Sequence, residues 1–192
     1  MEIICKKVGL HTSLLIFVFF CLIFSSCHTE EPTKTDEYFW AKIDNQLWKS
    51  APAQTTKKYN VSYKALSHQL TILAAAEDGS RIEISFHDAG PLKVGNYPST
   101  INDQGVQSGI FYAPDNKKVG KEMSSVTYDV PIQENTVQVT KLDKTDPKAY
   151  LIEGTFSSVL HALHKSNPKR TCVLTTGKFK VIYYPDAYNP TF

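Results

Sequence analysis

From Tyr38 onward, apolar and polar residues trade places with a period of two, the pattern of strands that turn one face to a core. In residues 81–87 (RIEISFH), Ile82, Ile84 and Phe86 share the inward parity, while Arg81, Glu83, Ser85 and His87 share the outward one. Phe39, Ala41 and Ile43 repeat this in EYFWAKID, Val137 and Val139 in residues 136–140, and Phe179, Val181 and Tyr183 near the C-terminus. Turn residues separate the runs. Asp78-Gly79, between LTILAAAE and SRIEISF, predicts a hairpin closed by a type I′ turn, which needs positive φ at both central residues. Gly90-Pro91, Pro114-Asp115-Asn116, Asp146-Pro147 and Asn167-Pro168 mark loops. Thr176-Gly177 reads as a bulge or a tight turn within the last strand pair. About nine or ten strands result, which predicts one antiparallel all-β domain, a sandwich or barrel-like, over residues 37–192. Residues 158–165 (SVLHALHK) read equally well as a short helix or as a strand ending in a loop.

Residues 1–26 follow another rule. Lys6 and Lys7 precede an unbroken apolar run of eleven residues, 14–24 (LLIFVFFCLIF). A spanning helix needs about 20 apolar residues, so the run has the length and flanks of a secretory signal instead. Ser25, Ser26 and Cys27 come next, and FSSC at 24–27 resembles the lipobox of bacterial lipoproteins. The resemblance implies cleavage before Cys27, diacylglycerol on its thiol and an acyl chain such as palmitate on the new amino terminus. Two lipid signals already anchor a protein stably, at about 0.8 kcal/mol per buried methylene. Residues 28–36 (HTEEPTKTD) are polar and carry a proline, so 27–36 is expected to be a lipidated cysteine and an extended tether. His28 stands where aspartate would be expected for inner-membrane retention. Thr29-Glu30-Glu31 resembles the acidic surface-export signal of Bacteroidetes lipoproteins. The implied address is the outer membrane, with an outward-facing position allowed.

Composition removes some partners. Of 21 Lys+Arg and 19 Asp+Glu, the signal takes Lys6, Lys7 and Glu2, which leaves 19 and 18 and a mature net charge of +1. No single-sign field is implied, and nucleic acid is not an expected partner. Of the four cysteines, Cys5 and Cys21 leave with the signal and Cys27 takes the lipid. Cys172 alone remains and cannot form an internal disulfide. A chain of this size buries roughly 70% of its unfolded surface as one domain, and the core must hold the fold without a staple.

FWAKIDNQLW at 39–48 resembles the opening hairpin of a set of uncharacterised Bacteroidetes lipoproteins, through Phe39, Ala41, Ile43, Asp44 and Trp48. Asn45 replaces their usual turn glycine. VTKLD at 139–143, IEGTFSSVL at 152–160 and TTGKF at 175–179 resemble the later part of the same family, while 88–125 is unmatched. That family is a domain of unknown function, so the resemblance implies an all-β fold and a lipidated start. It supplies no site residues.

Candidate chemistry is sparse. His161 and His164 would share a face on a helix and diverge on a strand, with no carboxylate or cysteine at ligand spacing. His87-Asp88 ends the most regular strand and reads as a surface pair. Gly154-Thr155-Phe156-Ser157-Ser158 lacks the Gly-x-Ser-x-Gly order of a nucleophile elbow. Cys172 sits in an apolar strand-like context, where a free cysteine is usually a small buried hydrophobe. Glu83, Asp129 and Glu153 could serve a hydrolase only if the fold brought two of them together. Tyr38, Trp40 and Tyr184 fall on the outward parity, where aromatic residues can stack on sugars or meet a partner. No catalytic, cofactor-binding or metal residue is expected. The reading is a lipid-anchored, non-enzymatic binding or scaffolding module of the cell envelope, with a protein or glycan partner. The alternatives are a lipocalin-like small-molecule carrier, hinted at by the small residues Ala74, Ala76 and Gly154, and a carbohydrate-active hydrolase.

Overall fold

The computed structural model describes residues 37–51, 59–99, 105–114, 121–125, 136–163 and 170–185. All of them belong to the compact unit Asp36–Phe192. The signal segment, Cys27 and the tether lie outside the described residues, as do Asp129 and His164. The strands run β1 (Tyr38–Ile43), β2 (Gln46–Lys49), β3 (Asn60–Lys64), β4 (Gln69–Ala75), β5 (Arg81–His87), β6 (Gly95–Pro98), β7 (Gln107–Ala113), β8 (Met123–Ser124), β9 (Thr136–Asp143), β10 (Tyr150–Ala162) and β11 (Thr171–Tyr183). A single 3-10 turn, Ala65–Ser67, is the only helical element among the described residues. The all-β expectation holds. The described residues hold eleven strands where nine or ten were expected, and β8 is too short to leave a pattern in the sequence.

Every pairing is antiparallel, in the order β2-β1-β11-β10-β8-β7-β5-β4-β3, with β9 added to β10 and β6 to β9. The path does not close into a barrel. Its fork lies on β10, whose residues 151–157 pair with β9 while His161 and Ala162 pair with β8. Beyond that fork the two halves of the sheet lie over one another. β3 packs on β11 and β6 on β7, the Tyr63 and Tyr183 rings meet edge-on at 6.4 Å, and the Phe86 and Tyr97 rings lie 4.9 Å apart. This is a sandwich-like arrangement of one folded-over sheet.

The inward parities read from sequence fill the space between the halves. Ile82, Ile84 and Phe86 are buried, as are Val137, Val139, Phe179, Val181, Tyr183, Phe39 and Ala41. SVLHALHK continues as strand through Ala162, because Val159, Leu160 and His161 find ladder partners in Val173, Cys172 and Thr171. Thr176 is a bulge residue with φ 49°, so Thr175 and Thr176 together oppose Ser157. The bulge resets the parity of β11, and Cys172 and Leu174 end up on the same inner face as Phe179.

Two turns differ in kind from what the sequence predicts. The β4–β5 hairpin forms at Asp78-Gly79, but only Gly79 has positive φ, at 83°. Gly79 N–H donates to the Ala76 carbonyl and Ala76 N–H to the Ser80 carbonyl. The loop is therefore three residues with glycine in the left-handed position, not a type I′ pair. The type I′ geometry occurs instead at β1–β2, where Asp44 (φ 49°) and Asn45 (φ 67°) are both left-handed. Asparagine tolerates that conformation through its short polar side chain, so the missing glycine costs the hairpin little. The Asp44 carboxylate accepts a hydrogen bond from the Val173 N–H at 2.9 Å and ties the turn to β11.

Two Gly-x-Phe segments lock the centre. Antiparallel register places Gly154 opposite Phe179 and Phe156 opposite Gly177. A Cβ on Gly177 would meet the Phe156 ring at 2.6–2.7 Å, and one on Gly154 would overlap the Phe179 ring and the Gln138 carbonyl oxygen. Each phenyl ring thus lies over its neighbour's glycine. Phe39 joins them, with ring centroids 5.2 Å from Phe156 and 6.3 Å from Phe179.

Candidate functional site

The structure disperses the residues that sequence reading holds up for catalysis. Glu83 lies on the outer face of β5 and Glu153 on the outer face of β10, in opposite halves of the folded sheet. Glu153 is engaged by Lys141 at 3.8 Å. Thr155 and Ser157 alternate outward as strand residues. Among the described residues, no group of three His, Cys, Asp or Glu gathers to hold a metal, and no helix is long and apolar enough to cross a membrane.

His87-Asp88 corrects the surface reading. Asp88 is 4% exposed and sits at the start of the β5–β6 loop, where Lys93 Nζ reaches its Oδ2 at 3.3 Å. The same loop is tied to β6 by Tyr97, whose hydroxyl donates to the Lys93 carbonyl at 2.7 Å and accepts from the Lys93 N–H. Burial pushes the Tyr97 phenol above its ordinary value, opposed by the hydrogen bond to Lys93. This arrangement fastens a loop. A local sequence pattern could not show it, because alternation along β5 says nothing of the burial of a residue just past the strand's end.

Cys172 is buried on the inner face beside Leu160. Burial first, and the Asp44 carboxylate next, push its thiol up to about 12. Burial likewise pushes the Tyr112 hydroxyl up to about 12. A thiol that stays protonated is a poor nucleophile. Native Cys172 should react with iodoacetamide on the order of 100-fold more slowly than in denaturant, read by mass shift over time; equal rates would contradict its burial. The sign of the pH effect follows. Above the ordinary thiol value of 9.0 the unfolded chain releases a proton that the folded chain keeps. Unfolding is then favoured by rising pH. Thermal stability should fall progressively from pH 9 toward 12, with Tyr112 adding to the fall above 10.0, and Cys172→Ala should flatten its first part.

The carrier alternative drew on Ala74, Ala76 and Gly154. Ala74 is fully buried in the core, Ala76 packs against it, and the space over Gly154 is filled by the Phe179 ring. These small residues make room for neighbouring side chains.

The outward parity of β2–β1–β11–β10–β9 gathers a distinct set of groups. Cross-strand register arranges them in rows. One row runs Lys49–Trp40–Lys178–Thr155–Gln138 and the next Tyr38–Lys180–Glu153–Lys141. A third places Leu47, Lys42 and Thr175 side by side, with Ser157 and Thr136 paired beyond the bulge. Lys178 Nζ stands 5.8 Å from the centroid of the Trp40 ring, a cation–π distance. Lys42, Lys49, Lys141 and Lys178 are exposed, and Trp40 is half-buried between its lysine neighbours. Tyr38 and Trp40 are thus where parity placed them, and Tyr184 is half-buried just past the end of β11. What sequence reasoning missed is the lysines. Lys42 shares β1 and its parity with Trp40, but Lys49, Lys141 and Lys178 come from three other strands that only cross-strand register brings to the same face.

Fold and face together define an open antiparallel β-domain with a basic, aromatic outer surface. No family model, no curated protein and no solved structure matches the chain.

Proposed function

We propose that the protein is a lipid-anchored, non-catalytic binding module of the bacterial cell envelope, held through Cys27 and meeting its partner with the outer face of β2–β1–β11–β10–β9. The observation that carries the binding half is the row Lys49–Trp40–Lys178, an indole between two lysines on an open sheet. Exposed aromatic and cationic groups on a rigid sheet recognise ligands without needing any catalytic group. The anchoring half rests on FSSC at 24–27 and on the polar tether that follows it. The outer membrane is the address that the residues after Cys27 favour, and the family of uncharacterised Bacteroidetes lipoproteins is the kinship that the four motif segments favour.

Fractionation of cells expressing the full chain and its Cys27→Ser variant tests the anchor. The parent should stay with the membrane pellet through a high-salt wash and leave only with detergent. The variant should move to the soluble fraction. A Cys27→Ser chain that remains in the pellet through the same wash contradicts the reading.

A further inference from the structure

The rows on the outer face differ in chemistry, and the difference points to a ligand class. Across the three rows stand five lysines, Lys42, Lys49, Lys141, Lys178 and Lys180, against one carboxylate, Glu153. Lys141 and Glu153 engage each other at 3.8 Å. Four cations are left around Trp40 on a chain whose mature net charge is only +1, so the positive charge is concentrated here. Beyond Trp40 and Lys178 the same rows continue as Thr155, Gln138, Thr175, Ser157 and Thr136. In these two rows the face changes from cation and ring to hydroxyl and amide along one direction, while the row between them ends on the Glu153–Lys141 pair.

We infer that this face binds a linear anionic glycan, a polysaccharide bearing carboxylate or sulfate groups, laid across the strands along Lys49–Trp40–Lys178–Thr155–Gln138. The inference rests on the reading of the chain as a binding module and names the ligand class of its outer face. The indole offers an apolar plate to the apolar face of a sugar ring. Lys49 and Lys178, one on each side of it, reach anionic substituents of that sugar or its neighbours. The threonine, serine and glutamine groups meet sugar hydroxyls. Five strands give four spacings of about 4.8 Å, about 19 Å in all, which suits an oligosaccharide stretch better than one sugar. An anionic bilayer would answer the lysines but gain nothing from the hydroxyl rows. A nucleic-acid strand gains its affinity from successive stacked bases. Exposed Tyr38 and half-buried Trp40 both sit on β1, so a strand crossing the sheet would meet one of these rings alone.

The test uses the full lipidated chain in detergent, with polygalacturonate as the polyanionic glycan. Its fully methyl-esterified form and single-stranded DNA are the other probes. Polygalacturonate should bind, more weakly as salt rises, and the neutral methyl ester should bind far less. Trp40→Ala, and separately the paired Lys49→Gln and Lys178→Gln, should weaken binding about tenfold or more, with the melting temperature of the lysine variant unchanged. No binding of polygalacturonate overturns the inference. So does equal binding of its methyl ester, binding untouched by the lysine variant, or tighter binding of DNA. The anchor is read separately by the Cys27→Ser fractionation, so failure of the ligand class and failure of the envelope reading are told apart.

Discussion

Gly154→Ala and Gly177→Ala should each destabilise the fold by about 2–4 kcal/mol, among the largest costs available to a single methyl group. The two should differ in how they are rescued. The atoms nearest an added Cβ at 177 all belong to the Phe156 ring, at 2.6–2.7 Å. Phe156→Leu in the same chain should therefore recover part of the loss, giving a favourable coupling in a double-mutant cycle. At 154 the new Cβ also overlaps the Gln138 carbonyl oxygen, which is backbone and part of the ladder to β9. Phe179→Leu should then rescue Gly154→Ala little or not at all. Urea unfolding of the parent and the six variants measures this. Equal rescue at both positions would show that the rings alone set the fit.

Trp48→Ala should cost about 3–5 kcal/mol, the range for truncating a large buried aromatic. Trp48 is 7% exposed on the inner face of β2, with its ring edge-on to Phe39 at 6.0 Å. Its indole N–H donates to Ser80 Oγ at 2.7 Å, and that hydroxyl donates to Asp78 Oδ1 at 2.6 Å. The same Asp78 oxygen accepts the Ser80 N–H at 2.8 Å. One side chain thus fastens the β1–β2 hairpin to the β4–β5 turn, across the gap between the two halves of the sheet. Ser80→Ala keeps the ring and removes its acceptor, leaving a buried indole N–H unpaired, so it should cost about 1–3 kcal/mol. A Ser80→Ala loss as large as that of Trp48→Ala would contradict this ranking, since packing of the ring would then count for nothing.

Alternation carried most of what could be read locally. RIEISFH placed Ile82, Ile84 and Phe86 correctly because a strand's parity is a property of neighbouring residues. That property ends at the bulge. Counting back from Phe179 in steps of two would turn Leu174 outward, yet Thr176 resets the count and buries it. The two Gly-x-Phe segments are visible in the sequence, but their mutual cover depends on a register between residues 154–156 and 177–179 that no local pattern encodes. Asp78-Gly79 announced a hairpin and not its loop length, because a left-handed glycine serves either turn. The candidate site shows the same division. Parity turned Tyr38, Trp40 and Lys42 outward, whereas the lysines beside them on β2, β9 and β11 arrive by pairing alone. Asp88 read as surface because it lies just past the end of β5, where alternation no longer reports burial.

The intact mass of the mature protein, extracted from the envelope in detergent, tests the central claim most directly. The account predicts a chain that begins at Cys27 and carries diacylglycerol on the thiol and an acyl chain on the amino terminus. A chain cleaved elsewhere, or one beginning at Cys27 with an unmodified thiol, would contradict it.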